Sequence, residues 1–436
     1  MSQVFSAPGK ALIAGGYLVL DPIYSSYVTA LSARTHAAVK SEANDSTVIH
    51  ISSPQFDSDW TYQLTGGKWT EIEGKKNPFL QSTVEIVMKY FDDVEGKKID
   101  ITIFSDPGFH TQDNTTTKKS TNGQKRFLYH GRPITEVAKT GLGSSASLVS
   151  VVTTVLVTQF IEEDIEKLKN LIHNLGQIAH CKAQKKIGSG FDVCTAVFGS
   201  INYRRFKPEV INDFINDDLI DVQKFKATAK ASWDFQHDSS ALPPHLKILM
   251  GDIKGGSETP KLVNLVLGWK KSNPEEGLEL FTNLNNANLS FIKCLERLHA
   301  YYNSNREQYL EAIEFYKANA SSTESKFTEF NQLIKSIKSM RFYLKQLTVK
   351  SKADIEPESQ TVLLDEVTTL PGVLGGVVPG AGGYDAISLV VIDSSIPSII
   401  DTTAKDQTLK VVDWLDLEEE SSGIVEENFD DYLGLF

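Results

Sequence analysis

The chain is poor in the features that define several large protein classes. It has three cysteines in 436 residues, Cys181, Cys194 and Cys294. An odd number without metal-type or redox-type spacing argues against a disulfide framework and a cysteine metal site, and suits a reducing compartment. No run of about 18 apolar residues occurs, so no membrane-spanning helix is expected. The N-terminal MSQVFSAPGK has no basic start followed by a long apolar stretch, and the apolar residues after it are split by Gly15 and Gly16. No secretory leader is expected, and the location read from the sequence is cytoplasmic. Basic charge is also scarce: 44 Lys and Arg against 56 Asp and Glu leave a net charge of −12, which repels nucleic acid and anionic membranes. The partners this leaves are small molecules, with any anionic ligand held by a few placed cations; the oligomeric state stays open, a monomer being the default.

Two familiar phosphate motifs are missing as well. A Walker A loop needs Gly-Lys followed by Ser or Thr, but every Gly-Lys here precedes Ala, Trp or Lys, which excludes the P-loop class. There is no H-R-D catalytic loop and no D-F-G, so the protein-kinase signature set fails too. GLGSSA at 141–146 matches the dinucleotide pattern G-x-G-x-x-A, with Glu162 and Glu163 about 20 residues on. The preceding GRPITEVAKT does not read as a buried parallel strand, so that match is superficial.

What is present is an ordinary globular composition, 41% hydrophobic and 23% charged, in a chain long enough for two cores. Alternation predicts strands over 11–20, 35–40, 48–52 and 98–104, and Phe79, Leu80, Val84, Val87 and Phe91 fall at helical spacing. The polar stretch 106–125 predicts a long exposed loop. Helices are predicted over 142–160 and 164–186, broken by Gly188-Ser189-Gly190, with a strand at SINYRRF. The acidic stretch 209–221 marks a domain boundary, dividing the chain into 1–208 and 209–436. Beyond it come a strand over 246–251, a helix opened by Thr259 as N-cap, long helices over 274–303, 305–320 and 324–350, and strands over 372–378, 386–392 and 410–414. The pattern is α+β. After Leu415 the chain has eight acidic side chains and no basic ones, which reads as a solvated tail.

Three glycine-rich segments stand far apart: SAPGKALIAGGY at 6–17, KTGLGSSAS at 139–147 and VPGAGGYDA at 378–386. Each alone could be a turn, the third a hairpin connection. The second feeds a helix and bares backbone N–H groups at the positive end of its dipole, which suits a phosphate.

In order, spacing and content the three segments resemble the signatures of the GHMP kinases. KNPF at 76–79, KIGSGFDV at 186–193, GDIKGGSET at 251–259 and ADIEPESQTVLLD at 353–365 resemble the phosphomevalonate kinase branch of fungi and plants within it. The resemblance implies a two-domain GHMP kinase fold, with a ribosomal-protein-S5-like N-terminal domain and a ferredoxin-like C-terminal one. It implies ATP and Mg2+ as cofactors and phosphorylation of 5-phosphomevalonate to 5-diphosphomevalonate. Lys10 and Asp192 take the catalytic positions, and Lys139, Thr140, Gly141, Leu142, Gly143, Ser144, Ser145 and Ala146 the ATP loop, Ser145 being the expected metal ligand. Lys139, Ser189, Arg204, Gly382 and Gly383 fall on the acceptor side. Plain readings exist beside these: the serines and Asp192 as helix caps, Lys10 as a solvated lysine. Arg204 and Arg205 point to opposite faces of a strand, so at most one reaches a cleft. Ser257 and Thr259, at a helix start, are further phosphate candidates. One departure stands out: where mevalonate kinases carry a metal-binding glutamate before the aspartate, this chain reads AHCKAQKK, without an acid.

Overall fold

The computed structural model describes residues 2–92, 96–216, 221–253, 255, 258–323 and 325–436. Strand β1 (Ser2–Ala14) lies antiparallel to β2 (Ser26–Ala43), from Ser2 opposite Lys40 to Ala14 opposite Tyr27. The pairing bulges between Pro8 and Gly9, where proline has no N–H for the ladder. The strand expected over 11–20 therefore ends early: Gly15 (φ 107) and Tyr17 (φ 64) turn the chain into a single 3-10 turn at Leu18–Leu20. Then follow β3 (Val48–Ser53), β4 (Ser58–Thr65), β5 (Lys68–Gly74), α1 (Pro78–Phe91) and β6 (Lys97–Ser105). Helix α1 starts where Asn77 accepts the N–H groups of Phe79 and Leu80. The predicted loop over 106–125 holds more order than its composition suggests. Strand β7 (Thr116–Lys119) pairs with β8 (Arg126–Tyr129) in a small hairpin.

Helix α2 (Ser144–Thr158) is apolar or small all round, and from Ala146 to Thr158 only Leu148 is less than fully buried. A helix of that kind belongs inside a domain. It runs between the sheet and α1, α3 (Ile165–Gln184) and α4 (Phe191–Phe198). Strand β9 (Ile201–Arg204), helix α5 (Val222–Lys230) and β10 (Gln236–Ser239) complete this layer, whose sheet runs β10-β9-β2-β6-β3-β4-β5. The layer does not stop at residue 209. Ile211, Phe214, Phe225, Ala229 and Trp233 lie in the same core as α1–α3, and β10 continues the sheet beyond β9. Ile211 and Phe214 of the stretch 209–221 thus belong to the core of the first layer, and we place the division of the chain near residue 240.

The second layer is β11 (Leu246–Ile253), α6 (Thr259–Ser272), α7 (Pro274–Ser304), α8 (Arg306–Ala318), α9 (Thr328–Ser351), α10 (Glu358–Val367), β12 (Val373–Val377), β13 (Ala386–Ile392), α11 (Ile396–Lys405) and β14 (Val412–Trp414). Its antiparallel sheet runs β12-β13-β11-β14, the order of a ferredoxin-like βαββαβ unit with extra helices in the first crossover. Thr259 is the first residue of α6 rather than its cap; Glu258 precedes it and makes no side-chain cap bond. Tyr27 of β2 meets Phe291 of α7 edge-on at 5.7 Å, and Ala11, Ile13 and Leu31 share a core with α7–α9.

The acidic tail is ordered and partly covered: Asp416, Glu418, Glu426 and Asp430 are exposed, while Glu419, Glu420 and Glu427 are half-buried. Strand β15 (Glu419–Glu420) pairs with β2, and β16 (Val425–Glu427) with β1. Buried Arg34 binds Glu420 at 2.8 Å, Ser6 Oγ at 2.7 Å and the carbonyl of Gly423 at 2.5 Å. Buried His36 sits between Asp106 and Glu427, 3.2 Å from each carboxylate. Glu427 also binds Lys125 and accepts from Tyr432 Oη at 2.7 Å. Glu420 and Glu427 pair with cations that the fold brings from elsewhere.

Burial by itself would lower the His36 pKa, but Asp106 and Glu427 together outweigh it and hold it above the ordinary 6.5. Burial likewise opposes ionised Glu427, yet His36 and Lys125 keep it far below 4.5. The His36 contribution is therefore complete below pH 6.5 and lost as pH rises through its folded value, while that of Glu427 is lost as pH falls below 4.5. Glu427→Gln is expected to cost about 3 kcal/mol, read from denaturant unfolding. The wild-type thermal midpoint is expected to fall from pH 6 to 9, and His36→Phe to flatten that fall; parallel curves would contradict the assignment.

Candidate active site

Lys10, in the middle of β1, is where the first two glycine segments join. Its N–H donates to Leu142 O at 2.9 Å and its Nζ to Gly141 O at 3.1 Å. Two glycines make this approach possible. A Cβ on Gly9 would stand 2.8 Å from the Phe109 ring and 2.9 Å from Leu142 O, and one on Gly143, which has φ +82, would stand 3.0 Å from Lys10 Cε. Gly143 is the N-cap of α2, so no side chain caps the first-turn N–H groups there, and they are left to a ligand or water.

The third glycine segment joins β12 to β13 and docks on the first. Gly380 N–H donates to Leu12 O at 3.0 Å, and Tyr17 Oη to Ala381 O at 2.5 Å. Gly383 N–H donates to Ile355 O at 3.0 Å, and a Cβ on Gly382 would stand 2.2 Å from that same oxygen. The turn is clamped on both sides.

Two cavities flank the loop at 139–145. One, of about 260 Å³, is lined by Lys10, Gly141, Ser189, Thr259, Gly382 and Asp385 among others. The second, of about 200 Å³, has an apolar lining that includes Phe56, Trp60, Phe79 and Ile103, with Lys75, Lys76 and Lys139 beside it. Thr140, Gly141 and Leu142 face the first, while Lys139, Ser144 and Ser145 face the second. The loop is a sill between the two cavities, both with largely apolar walls, Lys10 and Asp385 lining the first and three lysines the second.

Asp192 enters through the GSG break. Three donors take its consecutive carbonyls: Arg205 holds Gly188 O at 2.6 Å, Tyr203 Oη holds Ser189 O at 2.8 Å and Gln177 holds Gly190 O at 2.6 Å. With these carbonyls tied inward, α4 starts at a fixed place and Asp192 lies in its first turn. One carboxylate oxygen accepts the Val193 N–H at 3.0 Å, and the other lies 3.9 Å from His180 Nδ1. His180 Nε2 is 3.1 Å from Ser145 Oγ. Burial lowers the Lys10 pKa, opposed by the charges of Asp192 and Asp385. Burial lowers that of Lys139. His110, beside it in the second cavity, is pushed down to about 4 by burial, Lys139 and His130.

Comparison with known proteins agrees with this architecture. The family model for the GHMP kinase N-terminal domain matches residues 132–200, the sill through α4. A phosphomevalonate kinase of Candida albicans is 48% identical, aligned over 100% of both chains. One from Gibberella zeae is 33% identical over 98% of this chain and 97% of its own. The chain belongs to the phosphomevalonate kinase family. Its fold also matches a solved structure of Streptococcus pneumoniae phosphomevalonate kinase in complex with phosphomevalonate and AMPPNP, with a TM-score of 0.61 at 16% identity, covering 96% of this chain and 99% of that one. A relative from Arabidopsis thaliana, 30% identical over 91% of each chain, is named peroxisomal. No helix among the described residues is long and apolar enough to cross a membrane.

For this member of the family, the structure sorts the residues expected from the sequence. Lys10, Thr140, Gly141, Leu142, Ser189 and Gly382 line the first cavity. Lys139, expected on both the ATP and the acceptor side, lines the second with Ser144 and Ser145. Ala146 is buried in the core and its N–H bonds to Gly143 O, so it faces no ligand. Gly383 serves the clamp on Ile355. Arg204 turns outward to exposed Asp234 at 2.7 Å, and Arg205 lies buried behind the GSG loop, so neither lines either of these two cavities. Ser257 lies outside the described residues. Sequence reasoning passed over Asp385, Phe191, whose ring lies 5.5 Å from Lys10 Nζ, and His180. The signal for His180 was a polar stripe on a buried helix, His173, Gln177, His180 and Gln184.

Lys10→Ala is expected to lower kcat by at least about 100-fold. Arg204→Ala is expected to leave kcat and both KM values within about two-fold, as for an exposed ion pair. Steady-state kinetics on purified variants checks both.

Proposed function

We propose that the chain transfers the terminal phosphoryl group of ATP to the phosphate of (R)-5-phosphomevalonate, giving (R)-5-diphosphomevalonate and ADP. The observation that carries this reading is the sill: helix N–H groups without a side-chain cap, between two cavities, with the Lys10 ammonium at the seam. The cavity beside Phe56, Trp60 and Phe79 suits a nucleobase, with the polyphosphate crossing the start of α2 toward Lys10. The cavity that Lys10 lines suits a small, strongly anionic acceptor. Among relatives, the Streptococcus pneumoniae enzyme binds such a pair, phosphomevalonate and a nucleotide analogue.

Phosphoryl transfer asks the protein for alignment and charge neutralisation more than for covalent chemistry. Lys10 answers the second need, lining the cavity with Asp192 and Asp385 opposing the lowering of its pKa by burial. An acceptor phosphate monoester has a second pKa near 6, so its attacking oxygen is already ionised at neutral pH. Asp192 therefore orients rather than removes a proton. For Mg2+ the donor set fits in part. Ser145 Oγ and the Asp192 carboxylate are hard oxygens near one another through His180, and no group of three or more His, Cys, Asp or Glu side chains able to hold a metal occurs among the described residues. The remaining ligands would be phosphate oxygens and water. The ion would supply neutralisation of the charge spread over the transferring oxygens.

The deciding experiment is a coupled ADP-release assay with mevalonate, 5-phosphomevalonate and galactose presented separately. Turnover is expected with 5-phosphomevalonate alone, and preference for mevalonate would overturn the reading. Asp192→Asn is expected to cost less in kcat than the same change in a relative that phosphorylates a hydroxyl. Equal losses would argue for a proton-removing role.

A further inference from the structure

Arg205 joins two segments that reach the first cavity from distant parts of the chain. Its Nη1 donates to Leu20 O, 185 positions earlier, at 2.6 Å, and its Nη2 to Gly188 O at 2.6 Å. Leu20 closes the turn that follows β1, and Tyr17, Val19 and Leu20 all line that cavity. Next to Gly188, Ser189 and Phe191 line it too. None of these five residues lines the second cavity. One guanidinium thus ties together two walls of the same chamber.

The group is costly to keep there. Its side chain is 4% exposed, and its Nε has no hydrogen-bond partner among the described residues. Asp21 and Glu209 act on its charge through space, while its bonds go to neutral carbonyls. An apolar side chain would fill such a place without the desolvation of a charge. What the arginine adds is a planar fork that donates in two directions at once, held 5.9 Å from the ring centre of buried Phe206. The turn it holds also needs holding. Tyr17 stands at φ 64, where a bulky side chain is rare and persists only when its surroundings over-determine it. Ala381 O takes the Tyr17 hydroxyl at one end of this turn, and Arg205 takes the Leu20 carbonyl at the other.

We infer that Arg205 is a positioning residue for the acceptor: one buried guanidinium sets the spacing between the turn at Tyr17–Leu20 and the GSG loop, and with it the shape of the cavity that both line. The inference rests on the kinase reading above, which gives the first cavity to the acceptor and the second to the nucleotide. Loss of the tie therefore acts on one substrate and spares the other.

The tests use the full chain. Wild-type ADP release with 5-phosphomevalonate judges the kinase reading by itself; its absence would defeat that reading, while hydrogen exchange still judges the tie. Arg205→Met keeps the length of the side chain and removes both donors. Amides in peptides spanning 17–24 and 186–194 are expected to exchange at least about 10-fold faster in this variant, and those spanning 139–147 to keep the wild-type rate. Acceleration in one segment alone, or in neither, overturns the inference. In steady-state kinetics the same variant is expected to raise the acceptor KM at least about 10-fold, with the ATP KM within about two-fold. Arg205→Lys, which keeps the charge and a donor, is expected to recover part of that loss, and Arg204→Ala to leave both KM values within about two-fold. A general loss of structure would raise both KM values together and speed exchange at 139–147 as well. That pattern, or a folded Arg205→Met with the wild-type acceptor KM, overturns the inference. Should Arg205→Met fail to fold, Arg205→Lys carries the same two readouts with smaller shifts, and wild-type values there overturn it.

Discussion

The contact of Lys10 with the carbonyls of Leu142 and Gly141 fixes the rest of the site. Through it β1 sets the height of the α2 N-terminus, and through Leu12 and, just beyond the strand, Tyr17 the same segment carries the turn between β12 and β13. Each approach is closer than a side chain would allow at Gly9, Gly143 or Gly382. The contact also sets an energetic condition. Lys10 lines the first cavity, and burial lowers its pKa against the pull of Asp192 and Asp385. An incoming phosphate adds negative charge beside it and favours its ammonium form.

The second constraint is rigidity behind Asp192. Asp192 sits at a break in the helical sequence, where a loose loop would be expected. Arg205, Tyr203 and Gln177 each take one carbonyl of that break. Tyr203 and Gln177 are buried polar groups whose own solvation was given up for these bonds, which keeps the loop in one conformation. The groups that face the cavities are thereby set on elements that do not need to reorganise when ligands arrive.

Much of this was legible because its cause is local. A glycine at positive φ or in a close approach leaves its mark at one position, and the three segments could be found without knowing their neighbours. The same holds for α1, α2 and α3, whose periodicity or breadth of apolar surface reports their own burial. What could not be read depended on distant partners. Arg204 and Arg205 look alike in sequence, and only the packing of Asp234 and of the GSG loop separates them. The acids after Leu415 resemble a solvated run because Arg34, His36 and Lys125 lie hundreds of positions away. The boundary expected at 209 met the same difficulty: Ile211 and Phe214 share a core with Phe225 and Trp233, which come later in the chain. His180 hid in a gap, since a missing acid drew notice and the imidazole beside it did not.

The pairing of β16 with β1 bears on how the chain is made. Val4 and Glu427 lie opposite each other, so during synthesis residues 2–14 leave the ribosome long before 425–427 exist. Until then the outer edge of β1 presents unpaired backbone groups to its surroundings. Vectorial synthesis therefore yields a first layer with one open seam, and closing it is a late, long-range step.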